Sequence, residues 1–189
     1  MDRLTDQALT ASMTTTTALP SATEVAASLA RPTLDQVRRA IARRSFCTVA
    51  TVSGRGRPHV AAVLYAAVGD DIWLNTLRSS RKGRNIADNP DVHVMVPVRR
   101  LPVGPPSAVH FAATARLLRH DDPEVVALAA RGALKAITSH GELELAEGVF
   151  VKITPGPVWH TYGLGLSIID LIRHPLEAGG RVVVGPDPG

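Results

Sequence analysis

The sequence predicts a mainly β domain of the α+β class: an antiparallel barrel of six strands flanked by short helices. Three observations predict it. Residues 45–76 hold three apolar runs, "SFCTVATV", "PHVAAVLYAAV" and "DIWLNT", joined by the tight turns "SGRG" and "GDD". Such spacing marks the hairpins of a meander. Further strand-like runs follow at 91–98, 107–119 and 148–163, with only a few helical periodicities between them. Finally, "AAVLYAAV" and "VFVKI" are apolar on both faces. A sheet with many strands and few helices to cover it removes its edges by closing on itself.

The elements follow in order. Residues 1–32 are rich in Thr, Ser and Ala and poor in large apolar side chains, so they read as a disordered tail. From Thr33, a good N-cap, Leu34, Val37 and Ile41 recur at helical spacing. After the three meander strands, "SSRKGRNIADN" (79–89) reads as a short helix, capped by Ser79 or Ser80 and stopped by Asn89-Pro90. "DVHVMVPV" alternates strictly, as a strand with one buried face does. A loop and the long strand "SAVHFAATARLLR" lead to a single helix over 122–137, opened by Pro123. "GVFVKITPGPVWHTYG" is the last long strand, broken at Pro155 and Pro157. The domain therefore spans 33–163, and 164–189 form a C-terminal extension holding one more short helix.

Bulk properties narrow the function. Apolar residues make up 45% of the 189 and aromatics 4%, enough for one core built from Val, Ala, Leu and Ile. The net charge of +4 favours anionic partners, cofactor phosphates among them. A single cysteine, Cys47, excludes an intrachain disulfide and a Cys-only metal site; in its apolar run it reads as a buried structural thiol. The first twenty residues show no apolar leader core, and no apolar run is long enough to cross a bilayer, so a cytoplasmic protein without membrane contact is expected. The seven histidines show no H-x-x-x-H or H-E-x-x-H spacing, so no metal centre is expected, and His93 and His110 read as cross-strand structural residues. No nucleic-acid partner is expected: aromatics are few and the positive charge gathers at one helix start.

That helix start is the most informative stretch. In "NTLRSSRKGRNIADNP", Arg78, Arg81, Lys82 and Arg84 fall within seven residues. A helix N-terminus offers unpaired N–H groups and a positive dipole end, and an added Arg and Lys make it fit for a phosphate. The competing reading is a solvated basic face in which Arg84 and Asp88 pair at i,i+4.

The ordered set of strand, "GRP" turn, long strand, "IWLNT" and "T-x-x-x-S-R-K-x-x-x-I-x-x-N-P-x-V", running from Thr76 to Val92, resembles the pyridoxamine 5′-phosphate oxidase-like family of FMN-binding split β-barrels, which includes deazaflavin (F420) relatives. The resemblance covers roughly residues 34–163 and implies a six-stranded antiparallel split β-barrel. It implies a homodimer with FMN, or alternatively F420, bound between the subunits. His59, Val60, Ala61 and Ala62 would line the flavin, partly through backbone groups. Asn75 and Thr76 would face the ring and ribityl–phosphate region. Arg81 and Lys82, with Ser80 nearby, would hold the phosphate, and Trp159 would approach across the dimer interface. The implied activity is hydride or electron transfer to or from a small organic substrate.

The family's Arg-x-His motif after that tryptophan is absent, and "HTYGLG" looks like a segment of the F420-using relatives. His160 and Tyr162 are candidate proton donors, or else hydrogen-bonded residues of the barrel rim. A protein that binds flavin or haem without turnover is the alternative from a different functional class.

Overall fold

The computed structural model describes residues 21, 29–98, 105–139 and 147–185. The expected tail over 1–32 therefore lies largely outside the described residues. The chain begins with α1 (Leu34–Ala42), whose capping box pairs the Thr33 hydroxyl with the Gln36 N–H and the Gln36 side chain with the Thr33 N–H. Its Val37 and Ile41 are buried. The strands β1 (Phe46–Val52), β2 (Pro58–Leu64), β3 (Ala66–Val68) and β4 (Asp71–Leu77) follow, then α2 (Arg81–Asp88) and β5 (Asp91–Pro97). Next come β6 (Ala108–Leu118), α3 (Pro123–Ala130), α4 (Lys135–Thr138) and β7 (Gly148–Tyr162). The C-terminal part adds α5 (Ile168–Arg173) and β8 (Gly179–Val183).

Among the described residues all eight strands belong to one sheet, with order β2-β1-β5-β6-β7-β4-β3 and β8 paired to β7. Every ladder is antiparallel. The two ends of that order, β2 and β3, are separated in the chain by Tyr65 alone, so the sheet curls until its ends meet. This is the expected split barrel, with eight strands in place of six.

Two differences account for the strand count. The single run expected over 58–68 divides at Tyr65, where β2 leaves its ladder with β1 and β3 begins its ladder with β4. Tyr65 is fully buried; its N–H donates to the Ser45 carbonyl at 2.8 Å and its hydroxyl to the Ile41 carbonyl at 2.6 Å. The corner is thus pinned to the end of α1, and the edges are joined by backbone rather than closed by a β2–β3 ladder among the described residues. Replacing Tyr65 with Phe removes one of the two donors to the Ile41 carbonyl, the Arg44 N–H remaining at 3.0 Å, so a loss of about 1 kcal/mol in urea unfolding is expected. The other addition, β8, comes from the C-terminal extension, where only a helix was expected.

Two further expectations change. The helix over 122–137 is interrupted: α3 ends at Ala130, and Gly132 takes a positive φ of 72° before α4. The last strand is continuous through Pro155 and Pro157, and a register shift opposite Phe111–Ala113 absorbs the irregularity as a bulge.

The core is built as its composition requires. Val49, Val94, Val96, Val109, Val151 and Ile153 are buried in the barrel with Phe111 and Trp159. A second cluster, with Trp73, Phe150, Leu128 and Leu134, packs α3 and α4 on the outside. Lys152 ties that layer down: its Nζ lies 2.5 Å from Glu124 Oε1, 3.2 Å from Asp71 Oδ2 and 5.7 Å from the Trp73 ring centre.

Candidate functional site

The site is assembled where β4 passes into α2. Ser80 is the N-cap: its hydroxyl accepts the Gly83 N–H at 3.0 Å and lies 3.1 Å from the Thr76 hydroxyl. Three contacts fix α2 against the barrel. Asn85, buried, donates to Thr51 Oγ1 at 2.9 Å; Ile86 enters the core; and Gly83 lets the helix lie directly on the carbonyls of Leu77 and Arg78. Arg81 is exposed, whereas Lys82 is 8% exposed. Burial pushes the Lys82 ammonium below its ordinary pKa, against a smaller opposing influence from Cys47. Among the described residues Lys82 has no hydrogen-bond or ion-pair partner.

Cys47 itself is buried, and burial pushes its pKa up to about 12, so it is a neutral thiol as expected of a structural cysteine. Arg84 turns back to donate to the Ser79 carbonyl rather than pairing with Asp88.

The predicted site residues separate by face. In β2, residues 59, 61 and 63 pair with Thr51, Val49 and Cys47, the buried side of β1. His59 and Ala61 therefore face the side covered by α2. Val60, 61% exposed, and Ala62 point the opposite way. As β2 ends the sheet order, its outer backbone edge stays open, and Val60 and Ala62 can reach a ligand on the α2 side through backbone groups only. His59 Nδ1 and Asn75 Nδ2 are buried without a hydrogen-bond partner. Such orphaned atoms are rare and mark places where a ligand or water completes the site.

Between the β1–β2 turn and α2 lies a cleft of about 450 Å³ lined by Arg55, Arg57, His59, Arg81, Arg84 and Asn85, with Asp88 as its one acid. Sequence reasoning missed Arg55, Arg57, Asn85 and Gly83. The two arginines of "SGRGRP" flank the turn and were a visible signal; the roles of Asn85 and Gly83 depend on how α2 seats on the sheet.

Trp159 is not brought to this cluster. It is 1% exposed, packs on Phe111 with ring centres 5.2 Å apart, and spends its indole N–H on the Gly156 carbonyl at 3.0 Å. His160, next to it, is on the outer face, with Tyr162 half-buried beyond.

Residues 33–161 match the family model for pyridoxamine 5′-phosphate oxidase. The chain belongs to that family. A search of curated proteins gave no significant match to the sequence. Among solved structures the fold is similar to HutZ, the haem storage protein from Vibrio cholerae, with a TM-score of 0.60, 18% identity, and coverage of 71% of this chain and 98% of that one. A FAD-binding protein from Mesorhizobium loti gives 0.56, 18%, 70% and 95%. A pyridoxamine 5′-phosphate oxidase-related, FMN-binding protein from Nostoc punctiforme gives 0.52, 13%, 79% and 91%.

Among the described residues, no group of three or more His, Cys, Asp or Glu side chains is placed to hold a metal ion, and no helix is long and apolar enough to cross a membrane.

Proposed function

We propose that the chain is a flavin-dependent oxidoreductase that binds FMN beside α2. The observation that carries this reading is the cleft between the β1–β2 turn and α2, where Arg55, Arg57 and Arg81 gather beside His59, whose Nδ1 is buried without a partner, next to the capped start of α2 that also carries the buried Lys82. A terminal phosphate placed there accepts from Arg81, Lys82 and the first N–H groups of the helix. Asn75, His59 and the open backbone edge of β2 supply polar contacts for the remaining cofactor, which provides the hydride or electron chemistry when bound. The residues present fit such a group: Arg55, Arg57, Arg81 and Arg84 line the cleft against a single carboxylate, Asp88.

The proposed functional unit is a homodimer. Phe46, Val60, Leu64 and Met95 leave large apolar side chains exposed on the outer face of β2, β1 and β5, at 39–61%. A second copy is the occupant proposed for that face.

The test is an absorbance spectrum of the purified protein, followed by parallel titrations with FMN and F420. FMN is expected to bind more tightly, and the Arg81→Ala/Lys82→Ala variant to lose at least tenfold in affinity, since each charge-assisted bond contributes about 1.5–3 kcal/mol. Preference for F420 would move the protein to the deazaflavin users, and affinity unchanged by the double substitution would return the cluster to surface charge. Turnover with reduced cofactor distinguishes an enzyme from a protein that only binds flavin or haem.

A further inference from the structure

A second cavity, of about 620 Å³, lies over β6, β7 and β8 and shares no lining residue with the cleft beside α2. Its walls are His110, His160, Tyr162, Arg31 and Arg181, over a floor of Gly179 and Gly180. The cavity is composite. His110, on β6, and His160, on β7, come from the stretch that matches the family, whereas Arg31 and residues 179–181 lie outside it.

Local structure explains why the cavity exists. The β7–β8 ladder places Arg181 opposite His160 and Gly180 opposite Thr161. A Cβ at Gly180 would lie 2.8 Å from the Thr161 hydroxyl, so this close approach requires glycine. Arg31 donates to the carbonyls of Glu177 and Gly179 and thereby holds the approach to β8 in place.

Among the described residues the lining carries two guanidinium groups, of which Arg31 is engaged with the backbone of 177–179, two imidazoles and no carboxylate side chain. His110 and His160 stack with ring centres 5.2 Å apart and an 18° interplanar angle, and His93 Nε2 lies 3.0 Å from His110 Nδ1. Arg181 is exposed and stands beside this stack. A guanidinium next to stacked imidazoles suits an oxyanion attached to a flat or apolar body. The oxygens take charge-assisted bonds from Arg181 and the imidazoles, while the body lies along the rings and Tyr162.

We propose that this cavity is a binding site for a small organic oxyanion, a carboxylate or phosphate ester, separate from the cofactor cluster at α2. Binding is coupled to protonation. His110 is held below its ordinary pKa, first by burial and then by His93 and His160. The titratable and charged groups that face it are His93 from β5, His160 from β7, Arg181 from β8 and Arg31 on the cavity wall. A bound oxyanion offsets these repulsions and raises the His110 pKa, so binding takes up a proton and affinity rises as pH falls through that window.

The test follows the imidazole resonances of His110 and His160 by NMR, assigned with His110→Gln and His160→Gln, during titration with inorganic phosphate and, separately, succinate. This readout is local, so phosphate binding at α2 does not mimic it. We expect saturable shifts with at least one probe, tightening from about pH 8 to about pH 5.5. Which probe saturates distinguishes phosphate esters from carboxylates. Arg181→Ala is expected to weaken the response at least about tenfold. Arg81→Ala and the charge-matched Arg39→Ala should leave it unchanged. Absence of saturable shifts with both probes, or equal weakening by Arg39→Ala, would overturn the proposal. Loss in Arg81→Ala alone would assign the anion to the α2 cluster and overturn it equally.

Discussion

Gly83→Ala is expected to destabilise the protein by about 2 kcal/mol or more and to abolish tight FMN binding at the same time. A Cβ at this position would lie 2.7 Å from the Arg78 carbonyl oxygen and closer still to that of Leu77. Both obstacles are backbone, so no side chain can swing aside; α2 must move as a unit. In an unconstrained helix the same substitution gains about 1 kcal/mol, because alanine is the better helix former. The steric cost therefore has to exceed that gain, and overpacking against fixed backbone does. Moving α2 also drags Arg81 and Lys82 from their positions and separates Asn85 from Thr51, so affinity should fall by more than the stability loss alone accounts for. Urea unfolding and an FMN titration measure the two effects. Gly54→Ala is the control: its Cβ would meet Asp88 at 3.6 Å, an ordinary contact, and should be nearly neutral. A Gly83→Ala protein with unchanged midpoint would mean that α2 does not seat on the 77–78 backbone.

Lys82→Met should separate stability from binding. Lys82 is buried without a partner among the described residues, and its depressed pKa means that the folded state tolerates the charge poorly. The sign follows from linkage. The unfolded chain holds the proton up to the ordinary value of 10.5, and the folded chain releases it earlier. The charged ammonium is thus a penalty at neutral pH, relieved as pH rises between the depressed folded value and the unfolded one. Methionine fills nearly the same volume without the charge, so the cofactor-free variant should gain about 1 kcal/mol at pH 7 and less above pH 10. Its FMN affinity should drop about tenfold or more through loss of one charge-assisted phosphate bond. Loss of stability in the cofactor-free variant would show that Lys82 is already compensated, and the argument for a phosphate there would lose its main support. A residue that costs stability until a ligand arrives is what a binding site is expected to contain.

Much of the fold was legible because the signals were local. Strict alternation in "DVHVMVPV" specified β5, and Thr33 marked the start of α1, where the structure adds Gln36 as the other half of a capping box. The Ser80–Arg81–Lys82 start of α2 was legible for the same reason: cap, charge and stop signals lie within a dozen residues. What escaped depended on distant partners. Tyr65 looks like any strand residue in "AAVLYAAV", and only its bonds to Ser45 and Ile41 make it a corner. The strand β8 follows the weak pattern "GGRVV" and exists because β7 offers a ladder to it. The outward direction of Val60 and Ala62 was available from period 2, but which face α2 covers was not. The odd-numbered residues of β7 stay inward on both sides of the irregularity near Phe111, from Val151 and Ile153 to Trp159 and Thr161, so the burial of Trp159 followed from the same period.

The pairing of β8 with the second half of β7 also bears on aggregation. From Val158 to Tyr162, β7 is flanked by β6 on one side and β8 on the other. A chain ending where the family match ends, at residue 161, would present that stretch as a bare edge carrying a row of unsatisfied amides and carbonyls, a template for the next chain to extend. The C-terminal extension therefore covers that stretch as well as completing a cavity wall, and leaves as the open edge the shorter β8, which carries the exposed Arg181. The boundary that sequence comparison suggests for the domain is not the boundary at which its sheet is safe to expose.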